Sequence, residues 1–306
     1  MSLLFMFPGQ GAQRPGMLHA LPSGEVVAAT LDEASRILGS DCLKLDTAAS
    51  LQSTVAVQLC LLIAGVAAVR LFAANQIVPN MVAGLSIGAF PAAVAAGALA
   101  FADAVRLVQR RAQLMERAYP SGYGMAAISG LHRAELEPIL CLVPNAFLAN
   151  LNAPTQLVIA GSEQALEQVM ALALQRGAGK AQRLAVSVPS HCALLDAAGN
   201  TLRNETASLH LQRPALIYLS ASMARALYQP DKIKEDLITN MARQVLWSDT
   251  SRLAWERGAR LAIEMPGGSV LSNLVNADWG EGSALSFDNA RLDTLLALAH
   301  RELNAG

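Results

Sequence analysis

Two kinds of apolar stretch alternate along this chain, short continuous runs and longer runs with helical spacing. The alternation predicts an α/β fold. Residues 3–7 read as a short buried strand that runs into the loop Pro8-Gly9-Gln10-Gly11-Ala12-Gln13, rich in turn formers. Helical patterns follow around 24–38 and 51–74. The second is apolar almost all round (Val55, Val57, Leu59, Leu61, Leu62, Ile63, Val66, Val69), as a core helix should be. A strand at 81–85, a tight turn, a helix at 87–98 and another at about 102–118 come next. Segment 124–188 has its own rhythm: strand 125–131, helix 132–140, strands 146–150 and 156–160 about the turn Asn152-Ala153-Pro154-Thr155, helix 163–176 and strand 181–188. That order, β-α-β-β-α-β, predicts a ferredoxin-like unit inserted into a larger domain. Beyond it come helix 194–208, strand 215–220, helices within 230–257, strand 259–264, a helix from 269, strand 284–287 and helix 291–303.

Composition narrows the class. With 53% hydrophobic and 15% charged residues, the chain can bury a large core and is not a disordered segment. A net charge of −1 argues against a nucleic-acid partner, which calls for a basic excess. Cys42, Cys60, Cys141 and Cys192 are scattered, with no CxxC pair. No metal site is expected, and a reducing, cytoplasmic setting is the natural reading. Residues 1–7 carry no basic leader and read as a first strand, not a signal peptide. The charge-free stretch 71–102 raises the question of a membrane span. Ser86, Pro91 and several glycines interrupt it, so a strand, a turn and a buried helix account for it better, and no membrane contact is expected.

Chemistry concentrates at Gly84-Leu85-Ser86-Ile87-Gly88. A Gly-x-Ser-x-Gly pentapeptide between a strand and a helix is a candidate nucleophile elbow, against the plainer reading of a strand–turn–helix junction. The elbow implies a parallel sheet of α/β-hydrolase type in the larger domain, residues 1–123 and 190–306, around the ferredoxin-like insert, residues 124–189. Ser86 needs a base. His191, in Val188-Pro189-Ser190-His191-Cys192, follows the last strand of the insert, where a loop can hold a catalytic group on a rigid frame. A satisfied loop histidine is the alternative. His19, His132, His210 and His300 fall in segments that read as solvated. Cys192 reads as a small buried residue more than a nucleophile, since no basic cluster surrounds it. The helix at 102–118 carries Arg106, Arg110, Arg111 and Arg117, most of them expected on a solvated face. One arginine close behind the elbow could bind a carboxylate through two parallel N–H···O bonds. Backbone N–H groups of Ile87 and Gln10 are the candidate oxyanion donors, although the Gly9-Gln10-Gly11 loop could equally be a simple connection.

Together these motifs resemble the malonyl-CoA:acyl-carrier-protein transacylase family over nearly the whole chain. Phe7-Pro8-Gly9-Gln10-Gly11-Ala12-Gln13 is similar to its N-terminal loop, and Gly84–Gly88 falls at its elbow. Val105-Arg106-Leu107-Val108-Gln109-Arg110-Arg111 resembles the helix with its malonate-binding arginine. Met125-Ala126-Ala127-Ile128 resembles the strand opening its small domain, and Val188-Pro189-Ser190-His191 the stretch with its catalytic histidine. The resemblance implies a ping-pong transfer through a malonyl-serine, with Ser86 as nucleophile, His191 as base and Arg111 as carboxylate clamp. A backbone carbonyl around Gln244–Trp247 would orient the imidazole, and Asp196 would face solvent. Malonyl-CoA is then a substrate, no cofactor is held permanently, and the partner is an acyl-carrier protein, with Arg176, Lys180 and Arg183 as docking candidates. The family's elbow usually has histidine and glutamate where Leu85 and Ala89 stand here. The Gly-Leu-Ser-Ile-Gly-Ala-Phe version looks most like the epsilon subunit of malonate decarboxylase, whose carrier bears a phosphoribosyl-dephospho-CoA arm. A fatty-acid-synthesis transacylase, a serine thioesterase or esterase, and a catalytically decayed interaction subunit are the competing expectations.

Overall fold

The computed structural model describes residues 2–11, 13–119 and 121–304. The chain opens with β1 (Ser2–Phe7), α1 (Glu25–Leu38) and α2 (Thr54–Ala74). The first strand and the two helices fall where the hydrophobic pattern puts them. Next are β2 (Met81–Gly84), a 3-10 turn at Ser86–Gly88, α3 (Ala89–Ala95) and α4 (Phe101–Ala118). Stretch 71–102 is thus the end of α2, a strand, a turn and a short helix, not one continuous helix. The helix after the elbow is shorter than the expected 87–98 because Gly97 turns the chain at φ 72°. Pro91 sits in the first turn of α3, where a missing N–H costs little.

The middle of the chain forms β3 (Tyr123–Ser129), α5 (Arg133–Leu142), β4 (Ala146–Ala153), β5 (Gln156–Ser162), α6 (Glu163–Gln175) and β6 (Lys180–Arg183). These four strands make a separate antiparallel sheet in the order β4-β5-β3-β6. The expected strand 181–188 is corrected: β6 ends at Arg183, the Leu184 N–H makes a last bond to the Met125 carbonyl at 3.0 Å, and Ala185 and Val186 leave the ladder to line a cleft.

The chain then returns through α7 (Asp196–Glu205), β7 (Ile217–Ser220), β8 (Arg225–Leu227), α8 (Pro230–Thr239), α9 (Trp247–Glu256), β9 (Ala259–Glu264), α10 (Val270–Asp278), β10 (Ser283–Ser286) and α11 (Leu292–Asn304). The short edge strand β8, antiparallel to β7, has no counterpart in the sequence reading. The large sheet runs β10-β9-β1-β2-β7-β8, with every other pairing parallel. Both faces are covered, as a parallel sheet requires. Leu3, Phe5 and Phe7 of β1 point into a core with α2, α3 and α4, while Leu4 and Met6 meet Trp247, Leu271 and Trp279 on the other face. α2 is long and apolar enough to cross a membrane by length and composition, but most of it is buried in the first of these cores.

The two sheets are joined at one seam. Val245 lies beside Asn150 as a parallel bridge, its N–H donating to the Ala149 carbonyl and its own carbonyl accepting from Leu151. Gln244 Nε2 donates to the Leu148 carbonyl at 3.0 Å.

Candidate active site

The elbow is a consequence of two glycines with no room for a side chain. A Cβ on Gly84 would overlap the carbonyl of Gly88, and one on Gly88 would overlap the carbonyl of Phe7. With both absent, the turn tightens until Ser86 sits in the left-handed region at φ 58°. A non-glycine residue there costs on the order of 1–3 kcal/mol, which the packed strand and helix on either side sustain. Ser86 is half-buried and faces a cleft of about 300 Å³ between the two sheets. Gln10, Leu85, Ile87, Met125, Asn150, Val158 and His191 are among its walls.

His191 is brought to the serine by the seam. It too has a left-handed backbone, φ 67°, and its N–H donates to the Met241 carbonyl at 2.7 Å. Its Nδ1 lies 2.8 Å from the Asn240 carbonyl and 3.1 Å from the Arg243 carbonyl. Carbonyls only accept, so Nδ1 carries the hydrogen and Nε2 keeps its lone pair. That lone pair faces Ser86 Oγ at 2.9 Å. The orienting carbonyls are therefore those of Asn240 and Arg243, not one in the expected Gln244–Trp247 region. The 3-10 turn at Asn240–Ala242 points them back at the ring. Asp196 makes an ion pair with Arg243 at 2.6 Å, half-exposed, and does not bond the histidine. Burial, and then the nearby Arg111 cation, push the His191 pKa down to about 4, so the ring is neutral at physiological pH and able to accept a proton.

Arg111 is fully buried on α4. Its Nη1 donates to Gln58 Oε1 at 2.6 Å, and its Nη2 donates to Asn240 Oδ1 at 3.0 Å and to Ser86 Oγ at 3.3 Å. Its Nε has no partner, and its partners are all neutral. Burial brings its pKa down to about 9, which leaves it charged at neutral pH. A buried cation held only by amides and a hydroxyl is short of a counter-charge, and an anionic ligand would supply one. The neighbouring arginines differ. Arg106 pairs with Asp103 and Arg110 with Glu205 on the exposed side of α4.

Gln58 and Asn240 were not singled out by sequence reasoning. Gln58 had a signal: it is the one amide in the apolar middle of α2. Asn240 had none, since its role depends on where α8 ends. Its Nδ2 also donates to the Ser86 carbonyl at 3.3 Å, so one side chain ties Arg111 and Ser86 together. Across the cleft, Asn150 and Asn152 of β4 are buried, and their Oδ1 atoms have no partner. The remaining histidines lie elsewhere: His19 is exposed and pairs with Asp46, and His132, His210 and His300 are exposed. Cys192 is buried, and desolvation raises its thiol pKa to about 11, which makes it a poor nucleophile. Of the three basic docking candidates, Arg176 and Lys180 are exposed, while Arg183 is half-buried and 3.7 Å from Glu163.

A strained serine facing the cleft, a neutral imidazole at hydrogen-bond distance and a guanidinium buried beside them form one hydrogen-bonded cluster. The chain belongs to the acyl transferase domain family, whose pattern it matches over residues 4–304. It is 35% identical to the malonyl CoA-acyl carrier protein transacylase of Haemophilus influenzae over 300 residues, 93% of this chain and 94% of that protein. It superposes on the acyl-carrier-protein S-malonyltransferase of Burkholderia pseudomallei with a TM-score of 0.92 at 37% identity, covering 97% of this chain and all of the other. A malonyl-transacylase solved in complex with its type II polyketide acyl-carrier protein gives a TM-score of 0.92 at 32% identity, over 99% of this chain and all of that one.

Proposed function

We infer that this protein is a malonyl-CoA:acyl-carrier-protein S-malonyltransferase. One observation carries the reading: Ser86 Oγ, which faces the cleft, is 2.9 Å from His191 Nε2 and 3.3 Å from Nη2 of the buried Arg111. His191 Nε2 takes the Ser86 proton as Oγ attacks the thioester carbonyl. The oxyanion is met by the backbone N–H groups of Ile87 and Gln10, each contributing about 3 kcal/mol to the transition state. The tetrahedral intermediate collapses, the C–S bond breaks, and the imidazolium protonates the departing CoA thiolate. A carrier thiol then gives its proton to His191 and attacks the malonyl ester, restoring Ser86. Arg111 would hold the free carboxylate throughout. The unpartnered Asn150 and Asn152 oxygens can accept the amide N–H groups of a pantetheine-like arm.

Relatives named as acyl-carrier-protein transacylases favour a phosphopantetheine-armed carrier, as in fatty-acid synthesis. The elbow letters Gly84-Leu85-Ser86-Ile87-Gly88-Ala89-Phe90 support a second reading, the malonate decarboxylase epsilon subunit. The two differ in the carrier arm. A two-unit organisation, 1–123 with 190–306 around 124–189, with an α/β-hydrolase-like sheet and a ferredoxin-like insert, belongs to the same proposal. So does a cytoplasmic setting. Mixing the protein with malonyl-CoA and mapping the adduct by mass spectrometry should find malonyl on the Ser86 peptide, and its absence would end the proposal. Offering a phosphopantetheine carrier and a dephospho-CoA-armed carrier to the loaded enzyme distinguishes the two readings. Rapid release of free malonate without a carrier would favour a thioesterase.

A further inference from the structure

The loop that presents Gln10 is buttressed by a carboxylate from the far end of the chain. Asp288, just beyond β10, has a side chain only 7% exposed. Its Oδ2 accepts the backbone N–H groups of Gly267 and Gly268 at 3.2 and 2.8 Å, a concave pair of donors suited to an anion. Its Oδ1 lies 3.3 Å from Nη2 of Arg14, three residues beyond Gly11. The glycine turn bears directly on the start of the loop. A Cβ on Gly267 would come within 2.8 Å of Pro8 Cγ and 2.9 Å of Leu61 Cδ2. The turn is itself fixed, because the Met265 N–H donates to the Met6 carbonyl at 2.8 Å and Ser286 Oγ donates to the Gly268 carbonyl. The other buried carboxylate of this region, Glu264, is engaged by the N–H groups of Leu271 and Ser272 and does not compete for Arg14.

We propose that Asp288 and Arg14 form a latch that positions the Pro8–Gly11 loop, so that the Gln10 N–H meets the developing oxyanion. The inference rests on the reading of Gln10 as an oxyanion donor. Both residues act through the loop and are positioning residues. Arg14 is half-exposed, so its ion pair adds little to stability. An oxyanion donor displaced by a fraction of an ångström loses much of its effect. The latch should therefore be felt in the rate of acylation and hardly in folding.

Asp288→Asn leaves one oxygen for the two glycine N–H groups and turns an amide toward Arg14, so it breaks only the link. Arg14→Gln breaks the same link from the surface, where folding is not at risk. The rate of malonyl-Ser86 formation, KM and Tm are measured for each, for the double variant and for Arg14→Lys. Each single change should slow acylation by about 5- to 20-fold with KM within about 2-fold. The double variant should be no slower than the worse single, as for two halves of one interaction. Arg14→Lys should recover most of the rate. Wild-type rates in both singles, or losses that multiply in the double, would overturn the latch while leaving the transferase reading intact. A wild type that forms no malonyl-Ser86 adduct would remove both.

Discussion

The parallel-sheet side supplies Ser86 and Gln58 to the cleft, with Arg111 and Asn240 buried behind them, every one tied to another by a hydrogen bond. The antiparallel-sheet side supplies Met125, Ala127, Asn150, Asn152 and Val158, whose polar members have oxygens without partners. His191 stands between them, held by the Asn240–Val245 seam that joins the sheets. The contrast separates two demands. The groups proposed to react are fixed by backbone strain and buried bonds, as a transfer that depends on sub-ångström placement would require. Groups that receive a substrate offer shape and unfilled acceptors, which cost stability until a ligand fills them.

The strongest break of that contrast is on the reacting side. Ser86→Ala should abolish the malonyl-enzyme and lower transfer by about 10⁴-fold or more, read by intact-protein mass and by transfer assay. Arg111→Ala should be next. It removes a buried charge whose unpaired state costs about 3–5 kcal/mol, so the preference for malonyl-CoA over acetyl-CoA should fall by about 10²- to 10⁴-fold. An unchanged preference would remove the carboxylate clamp from the account.

A third measurement titrates the histidine. With the His191 pKa near 4, acylation should hold steady as the pH falls from 7 and decline only as it approaches about 4. A decline centred near 6.5 would mean that burial does not depress the ring. The sign for stability follows. Between about 6.5 and about 4 the unfolded chain takes up a proton that the folded ring does not, so this group's contribution to stability is lost as the pH falls through that window. The smallest effect belongs to the receiving side. Asn152→Ala should raise KM for malonyl-CoA by about 3- to 10-fold with kcat nearly unchanged, since one uniform hydrogen bond is removed. A fall in kcat of the same size would show that this wall helps to place the reacting carbonyl.

Letters in a row were enough where the physics is local. The pattern of apolar residues marked most strands and helices, because burial on a sheet or helix face leaves a period in the sequence. Gly84, Ser86 and Gly88 marked the elbow, because only glycine tolerates those close approaches. It ran short where neighbours decide. Residues 185–188 have a strand's letters but leave the ladder, Ala185 and Val186 to line the cleft, and β8 is an edge strand paired with β7. Asn240 could not be found beforehand, because nothing in its immediate sequence says that α8 will end against Ser86.

The sequence by itself determined that the chain folds as an α/β protein with a serine elbow, and it marked Ser86 and His191 as candidates by short patterns with their own physical reason, while Arg111 was singled out among its neighbours by the family resemblance of its helix. Only the tertiary structure decided that these three groups meet, that the orienting carbonyls are those of Asn240 and Arg243, and that Gln58 and Asn240 hold the guanidinium. Those contacts span from 25 to 129 positions along the chain. No local period encodes them, because they are set by how two sheets and the segments between them pack.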